Sequence, residues 1–132
     1  MEHVLALDIG RKKIGVAAGV TEARFAFPRP PLLVSSVEEG LAGVADLVRE
    51  GDIVKIIAGL PVSTDGSDSE QTIFTRDFLR QLEQHVHVPI ILVEERFSTQ
   101  GVLKQKMGRS LEKGEEDSLV AQALLTSYFQ SL

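Results

Sequence analysis

Residues 4–7 and 89–93 are short apolar runs, 54–58 is another interrupted only by Lys55, and the segments between them carry apolar residues at helical spacing. Runs of four or five apolar residues suit strands rather than helices, and their alternation with amphipathic segments is the pattern of an α/β protein. At 132 residues with 43% hydrophobic content the chain can bury one sizeable core, so a single domain spanning 1–132 is expected. The apolar run near the start is interrupted by Asp8, is too short for a signal peptide, and no run reaches the length of a membrane span. A soluble, cytoplasmic protein with no membrane partner is the expectation.

The local pattern fills in the elements. A second strand at 14–18 follows the first across a Gly- and base-rich turn, "GRKK", which suits a hairpin. Pro28, Pro30 and Pro31 break the ladder in 24–34, so that stretch reads as a loop leading into or out of an edge strand. Ser36 with Glu39 fits a capping box, opening a helix whose face carries Val37, Leu41, Val44, Ala45 and Val48 and which ends near Gly51. The segment "GLPVSTDGSDSEQ", 59–71, reads as a loop leaving the carboxyl end of a strand, a place where α/β proteins carry function. A helix presenting Ile73, Phe74, Phe78, Leu79 and Leu82 follows, then a strand running to Glu94, Glu95 and Arg96. A helix over 99–107, a linker over 108–114 and a last helix from near Glu116, presenting Leu119, Ala123, Leu124 and Tyr128, complete the chain.

Three acidic positions stand where apolar elements begin or end: Asp8, one of Glu94 and Glu95, and Asp117. Asp117 can simply cap its helix, and Glu94 and Glu95 can be solvated strand-end charges. Asp8 is harder to dismiss, because a carboxylate beside an apolar run pays for desolvation unless the basic turn or a metal ion pairs with it. Neighbouring side chains on a strand point to opposite faces, so only one of the two glutamates can easily join Asp8. The chain has no cysteine, which leaves carboxylates, histidines and carbonyls as metal ligands. His85 and His87 flank Val86 at a helix end and read as surface residues, and His3 has no evident partner.

The motifs "LALDIGRKKIGVA" (5–17), "IIAGLPVSTDGS" (56–67), "EERFST" (94–99) and "EEDSLVAQALLTSYF" (115–129) occur in an order and spacing that resembles the YqgF family, also called RuvX. That family comprises Holliday-junction resolvases and pre-16S ribosomal RNA nucleases. The resemblance implies an RNase H-like fold: a five-stranded mixed sheet, its first three strands antiparallel, flanked by helices. It implies Asp8, Glu95 and Asp117 as the catalytic, metal-binding carboxylates. Three departures from the family pattern stand out: Glu94 where Asp is usual, Lys13 where Arg is common, and Ser63 where Asn is common. The first keeps Glu94 a rival to Glu95.

Such a trio supports phosphodiester hydrolysis assisted by Mg²⁺ or Mn²⁺, with two ions about 3.5 to 4 Å apart. The net charge of -5 argues against a general grip on nucleic acid, so contact with a structured RNA or branched DNA falls to local groups. Arg11, Lys12 and Lys13 flank the site, Arg96 follows its glutamate, and Lys104, Lys106 and Arg109 come after; Gly10 would let phosphate approach. Ser63, Thr64, Gly66, Ser98 and Thr99 would add hydrogen bonds to phosphate. With one Tyr, no Trp and Phe mostly at helix-core spacing, no aromatic platform for unpaired bases is expected. The alternative is a catalytically silent RNase H-like module binding RNA or a ribosome-assembly partner; a phosphate-loop ATPase is disfavoured because G-x-x-x-x-G-K-[ST] is missing. Monomer and homodimer are both compatible with the sequence.

Overall fold

The computed structural model describes residues 1–63, 65–95 and 118–132, with the side chain of Glu95 excluded. Five strands form one mixed sheet in the order β3-β2-β1-β4-β5. These are β1 (His3–Ile9), β2 (Lys13–Val20), β3 (Phe25–Leu33), β4 (Ile53–Pro61) and β5 (Ile90–Glu95). The first three strands are antiparallel neighbours, whereas β4 runs parallel to β1 and β5 parallel to β4. Helices α1 (Val37–Glu50) and α2 (Glu70–Leu82) precede β4 and β5, and α3 (Leu119–Gln130) closes the chain.

The central strand is buried on both faces, which is why its sequence is continuously apolar up to Asp8. Leu5, Leu7 and Ile9 join Ile14, Val16, Leu41, Val44, Phe78 and Leu82 under α1 and α2. Val4 and Ala6 turn the other way and pack with Ala17, Ile57, Leu125 and Phe129 under α3. Strand periodicity therefore assigns Asp8 to the α3 face of the sheet.

Residues 25–33 depart from the loop expected over 24–34: they form a regular edge strand with Pro28 in register opposite Ala17. An edge strand tolerates proline because a nitrogen facing away from the neighbouring strand has no ladder bond to lose. The prolines leave their mark as a register shift. Between Ile14 and Val16 of β2, the partner on β3 moves from Leu32 to Arg29, one residue more than a regular ladder allows. The buried Ser118 hydroxyl stands at that irregularity. It accepts a hydrogen bond from the Val16 N–H at 3.0 Å and donates to the Arg29 carbonyl at 2.5 Å, so the start of α3 is pinned to the β2–β3 seam. Four residues on, the Gln122 amide donates to the Ala26 carbonyl at 3.1 Å.

Other expectations shift by a few residues. Ser36 caps α1 through the Glu39 N–H, in one direction only rather than as a full box, and Gly51 follows the last helical residue. The reciprocal box occurs instead at Ser69 and Thr72, opening α2. Strand β4 continues through Pro61, taking the first three residues of the expected 59–71 loop. Ile73 is exposed rather than part of the core face, because α2 buries Thr72, Thr75, Phe78, Leu79 and Leu82. The helix expected over 99–107, the linker over 108–114 and Glu116 lie outside the described residues.

Removing the Ser118 hydroxyl leaves the buried Val16 N–H and the part-buried Arg29 carbonyl on the seam without their shared partner. Ser118→Ala is expected to lower unfolding free energy by about 1–3 kcal/mol, read as a reduced midpoint in urea at unchanged slope. Stability equal to the parent would show that the β2–β3 seam closes without the bridge.

Candidate active site

Asp8 lies one residue before the end of β1, in register with Gly15 of β2. Burial lifts its carboxyl above the ordinary value of 3.8, and among the described residues no cation or hydrogen-bond donor offsets that cost. The pinned residue Ser118 bonds to Val16, which directly follows Gly15, so α3 starts beside this end of β1. Asp117, its neighbour in the chain, lies outside the described residues, as do Arg96, Ser98, Thr99, Thr64, Lys104, Lys106 and Arg109.

Glu94 and Asp8 fall on different faces of the sheet. In β5, Ile91 and Val93 pack into the α3-side core while Ile90 packs under α2, so alternation turns Glu94 to the α2 side, away from Asp8. Glu95 ends the strand opposite Pro61 in the register, and its side chain lies outside the described residues. No cluster of three or more acidic, histidine or cysteine groups forms among the described residues.

The basic turn between β1 and β2 is held from several sides. A Cβ at Gly10 would stand 2.5 Å from the Lys13 carbonyl oxygen, so glycine is needed there to close the turn, a reason separate from the approach of a ligand. The Val34 N–H donates to the Lys12 carbonyl at 2.9 Å. From α2, Gln71 Nε2 donates to the Ile9 carbonyl at 2.8 Å, and the Arg11 guanidinium carbon lies 4.5 Å from the centre of the Phe74 ring. Helix α2 is anchored in turn: the Ser69–Thr72 box fixes its first turn, and the Thr72 hydroxyl donates to the Pro61 carbonyl at the end of β4. Sequence reasoning missed Gln71 and Phe74, which carry no local motif and reach the turn only through the tertiary fold.

The loop after β4 uses its own backbone donors. The Ser63 N–H bonds to the Ser67 carbonyl at 3.0 Å and the Gly66 N–H to the Ser63 carbonyl at 2.8 Å, with Gly66 at φ 85°. These two N–H groups are therefore engaged inside the loop rather than presented to phosphate. At the opposite end of the sheet from Asp8, Phe25 and Phe27 are more than half exposed with ring centroids 4.6 Å apart, an aromatic pair that the sequence did not lead us to expect. His85 caps the end of α2, its Nδ1 3.0 Å from the Gln81 carbonyl, in keeping with a helix-end residue.

Solved structures with the same architecture include Thermus thermophilus RuvC in complex with a Holliday junction substrate, with TM-score 0.61 and 11% identity over 99% of this chain and 95% of that one. The fowlpox virus Holliday junction resolvase aligns with TM-score 0.57 and 13% identity over 98% of this chain and 99% of its own. The fold is thus that of the RNase H-like resolvases. Relatives from Thiobacillus denitrificans, Nitrosomonas europaea and Cupriavidus pinatubonensis, each named "Putative pre-16S rRNA nuclease", are 30%, 34% and 36% identical. They align over 97%, 96% and 98% of this chain and 91%, 88% and 89% of their own. The family model for RuvX, Holliday junction resolvase, matches residues 2–131, and the chain belongs to that family. It is a nuclease, a hydrolase of phosphodiester bonds.

The raised carboxyl of Asp8 fixes the sign of a pH effect. The native state holds this proton to higher pH than the unfolded chain does. The resulting stability is complete below the unfolded value and is withdrawn as pH rises through the folded one. Above both, charged Asp8 is a standing cost to the metal-free protein. In chelator at pH 7, Asp8→Asn is expected to melt at a higher temperature than the parent, with the advantage shrinking as pH falls through the raised folded value and gone below about pH 4. A lower melting temperature for the variant at pH 7 would mean that the charged carboxylate is stabilised by the fold itself.

Proposed function

We propose that residues 1–132 act as one RNase H-like nuclease domain that cuts structured nucleic acid with a divalent cation, Mg²⁺ or Mn²⁺, at Asp8, Glu95 and Asp117. The observation that carries this reading is the partly buried Asp8 carboxylate with no partner among the described residues, near the end of β1 where α3 begins. A hard cation suits that chemistry, since an oxygen donor raised by desolvation regains its charge when a cation takes the place of water. Glu95 is favoured over Glu94 because the alternation of β5 commits Glu94 to the other face of the sheet. Asp117 is favoured because its neighbour Ser118 is bonded one residue from the β2 partner of Asp8.

Bound metal would activate water and stabilise the leaving oxygen. The protein's own groups do the rest. Arg11, Lys12 and Lys13 leave the same strand end as Asp8 and carry the positive charge that brings a phosphate backbone toward an acidic protein. Gly10 shapes that turn, and Arg96, Ser98, Thr99, Ser63 and Gly66 are proposed to bind substrate beside it, the loop residues through side chains or through rearrangement of their engaged N–H groups. The substrate we favour is the precursor of 16S ribosomal RNA, on the names of relatives aligned over nearly the whole chain. The four-way DNA junction is the rival on the family description.

The test pairs the two substrates under Mg²⁺ and Mn²⁺. Cleavage of the RNA precursor is expected, with Asp8→Asn lowering the rate about 100-fold or more. In thermal melts Mg²⁺ should raise the parent's midpoint and leave that of Asp8→Asn unmoved. Cleavage of the junction alone would reassign the substrate. Binding without cleavage of either, together with no thermal response to metal, would instead identify a silent binding module.

A further inference from the structure

The first turn of α2 grips the basic turn at two points that no catalytic carboxylate explains. Gln71 and Phe74 lie three residues apart and so share a face of the helix. Gln71 fixes the backbone at Ile9, and Phe74 lies under the guanidinium of Arg11. The same ring and cation line a cleft of about 210 Å³, bounded also by Gly10, Ile14, Ser36 and Val37. Phe74 is half-buried against the core, whereas Arg11 is exposed.

An exposed arginine ordinarily samples many rotamers and loses that freedom when it contacts a ligand. Stacking on an anchored ring restricts the guanidinium in advance while leaving its N–H fork in solvent. Because a planar fork matches phosphate oxygens, the ligand chemistry indicated is a phosphodiester of the substrate backbone. An acidic chain has particular need of such a preset cation. We infer that Phe74 is a positioning residue which holds Arg11 ready for a phosphodiester of the nucleic acid, with Gln71 fixing the turn from which Arg11 springs. This inference rests on the nuclease reading above and deepens it.

Full-length protein would be assayed for cleavage of the RNA precursor and the four-way junction, and Asp8→Asn forms of each variant for binding of both across salt concentration. Arg11→Ala should raise KM about tenfold, with little change in kcat, and reduce the slope of log affinity against log salt by about one. Phe74→Leu keeps an apolar side chain against the core but removes the ring face. It should raise KM about two- to fivefold, and adding it to Arg11→Ala should cost nothing further. Phe74→Tyr restores the ring and should restore KM, while Ile73→Ala, an exposed change on the same helix, should leave KM unchanged. A Phe74→Leu protein with the parent's KM, or one equally impaired with and without Arg11, would overturn the inference while leaving the nuclease reading intact. A parent protein that neither binds nor cleaves either nucleic acid would overturn both.

Discussion

A carboxylate at the end of a doubly buried strand governs how this fold is arranged. Strand β1 runs between β2 and β4 with one core above it and another below, so its side chains must be apolar until the strand nears solvent. Asp8 is the first side chain that breaks this requirement, and its burial carries a free-energy cost that the described protein groups do not relieve. Folding alone gives no reason to retain such a charge, whereas a cation-dependent reaction does. The neighbouring elements are correspondingly placed around this end: the Gly10 turn leaves it, and α3 begins beside it.

Much of this was legible because it was periodic. The apolar runs announced β1, β4 and β5, the spacing of Leu41, Val44 and Val48 announced α1, and Ser36 marked its start. Asp8 was legible as a candidate because it interrupts its run. The edge strand β3 was not, since three prolines remove donors whether or not those donors face a neighbour, and sequence does not say which way an edge strand turns. Ser118, Gln71 and Phe74 were illegible for a related reason. Each acts on backbone or charge far away in the chain, and nothing local distinguishes a serine that bridges a register shift from one that caps a helix. The two glutamates fell between these cases: sequence put them on opposite faces, but only the packing of Ile90, Ile91 and Val93 showed that Glu94 lies on the α2 side.

The register shift and the site are physically linked. An extra residue on β3 disturbs the ladder opposite Val16, and the disturbed ladder is what admits a hydroxyl from α3. A perfectly regular β2–β3 pair would satisfy its own donors and acceptors and offer α3 no polar foothold. The prolines thus serve two ends, making the exposed edge a poor template for further strand pairing and giving the last helix a fixed point of attachment. Gln122, bonded to Ala26 one turn further along, keeps the helix aligned over the same strands.

On the opposite face, α2 solves a different problem. A carboxylate at the strand end repels the polyanion that a nuclease cuts, and the protein as a whole is acidic. Cations must therefore stand close to the site without neutralising it by direct pairing. Within the described residues Arg11 meets an aromatic face rather than a carboxylate, so its charge is oriented but not spent. Because the helix carrying that ring is tied through Thr72 to the end of β4 and through Gln71 to the end of β1, the cation is referenced to the same two strand ends that frame the site. A flexible lysine on a solvent loop would supply the same charge with neither the fixed distance nor the prepaid ordering.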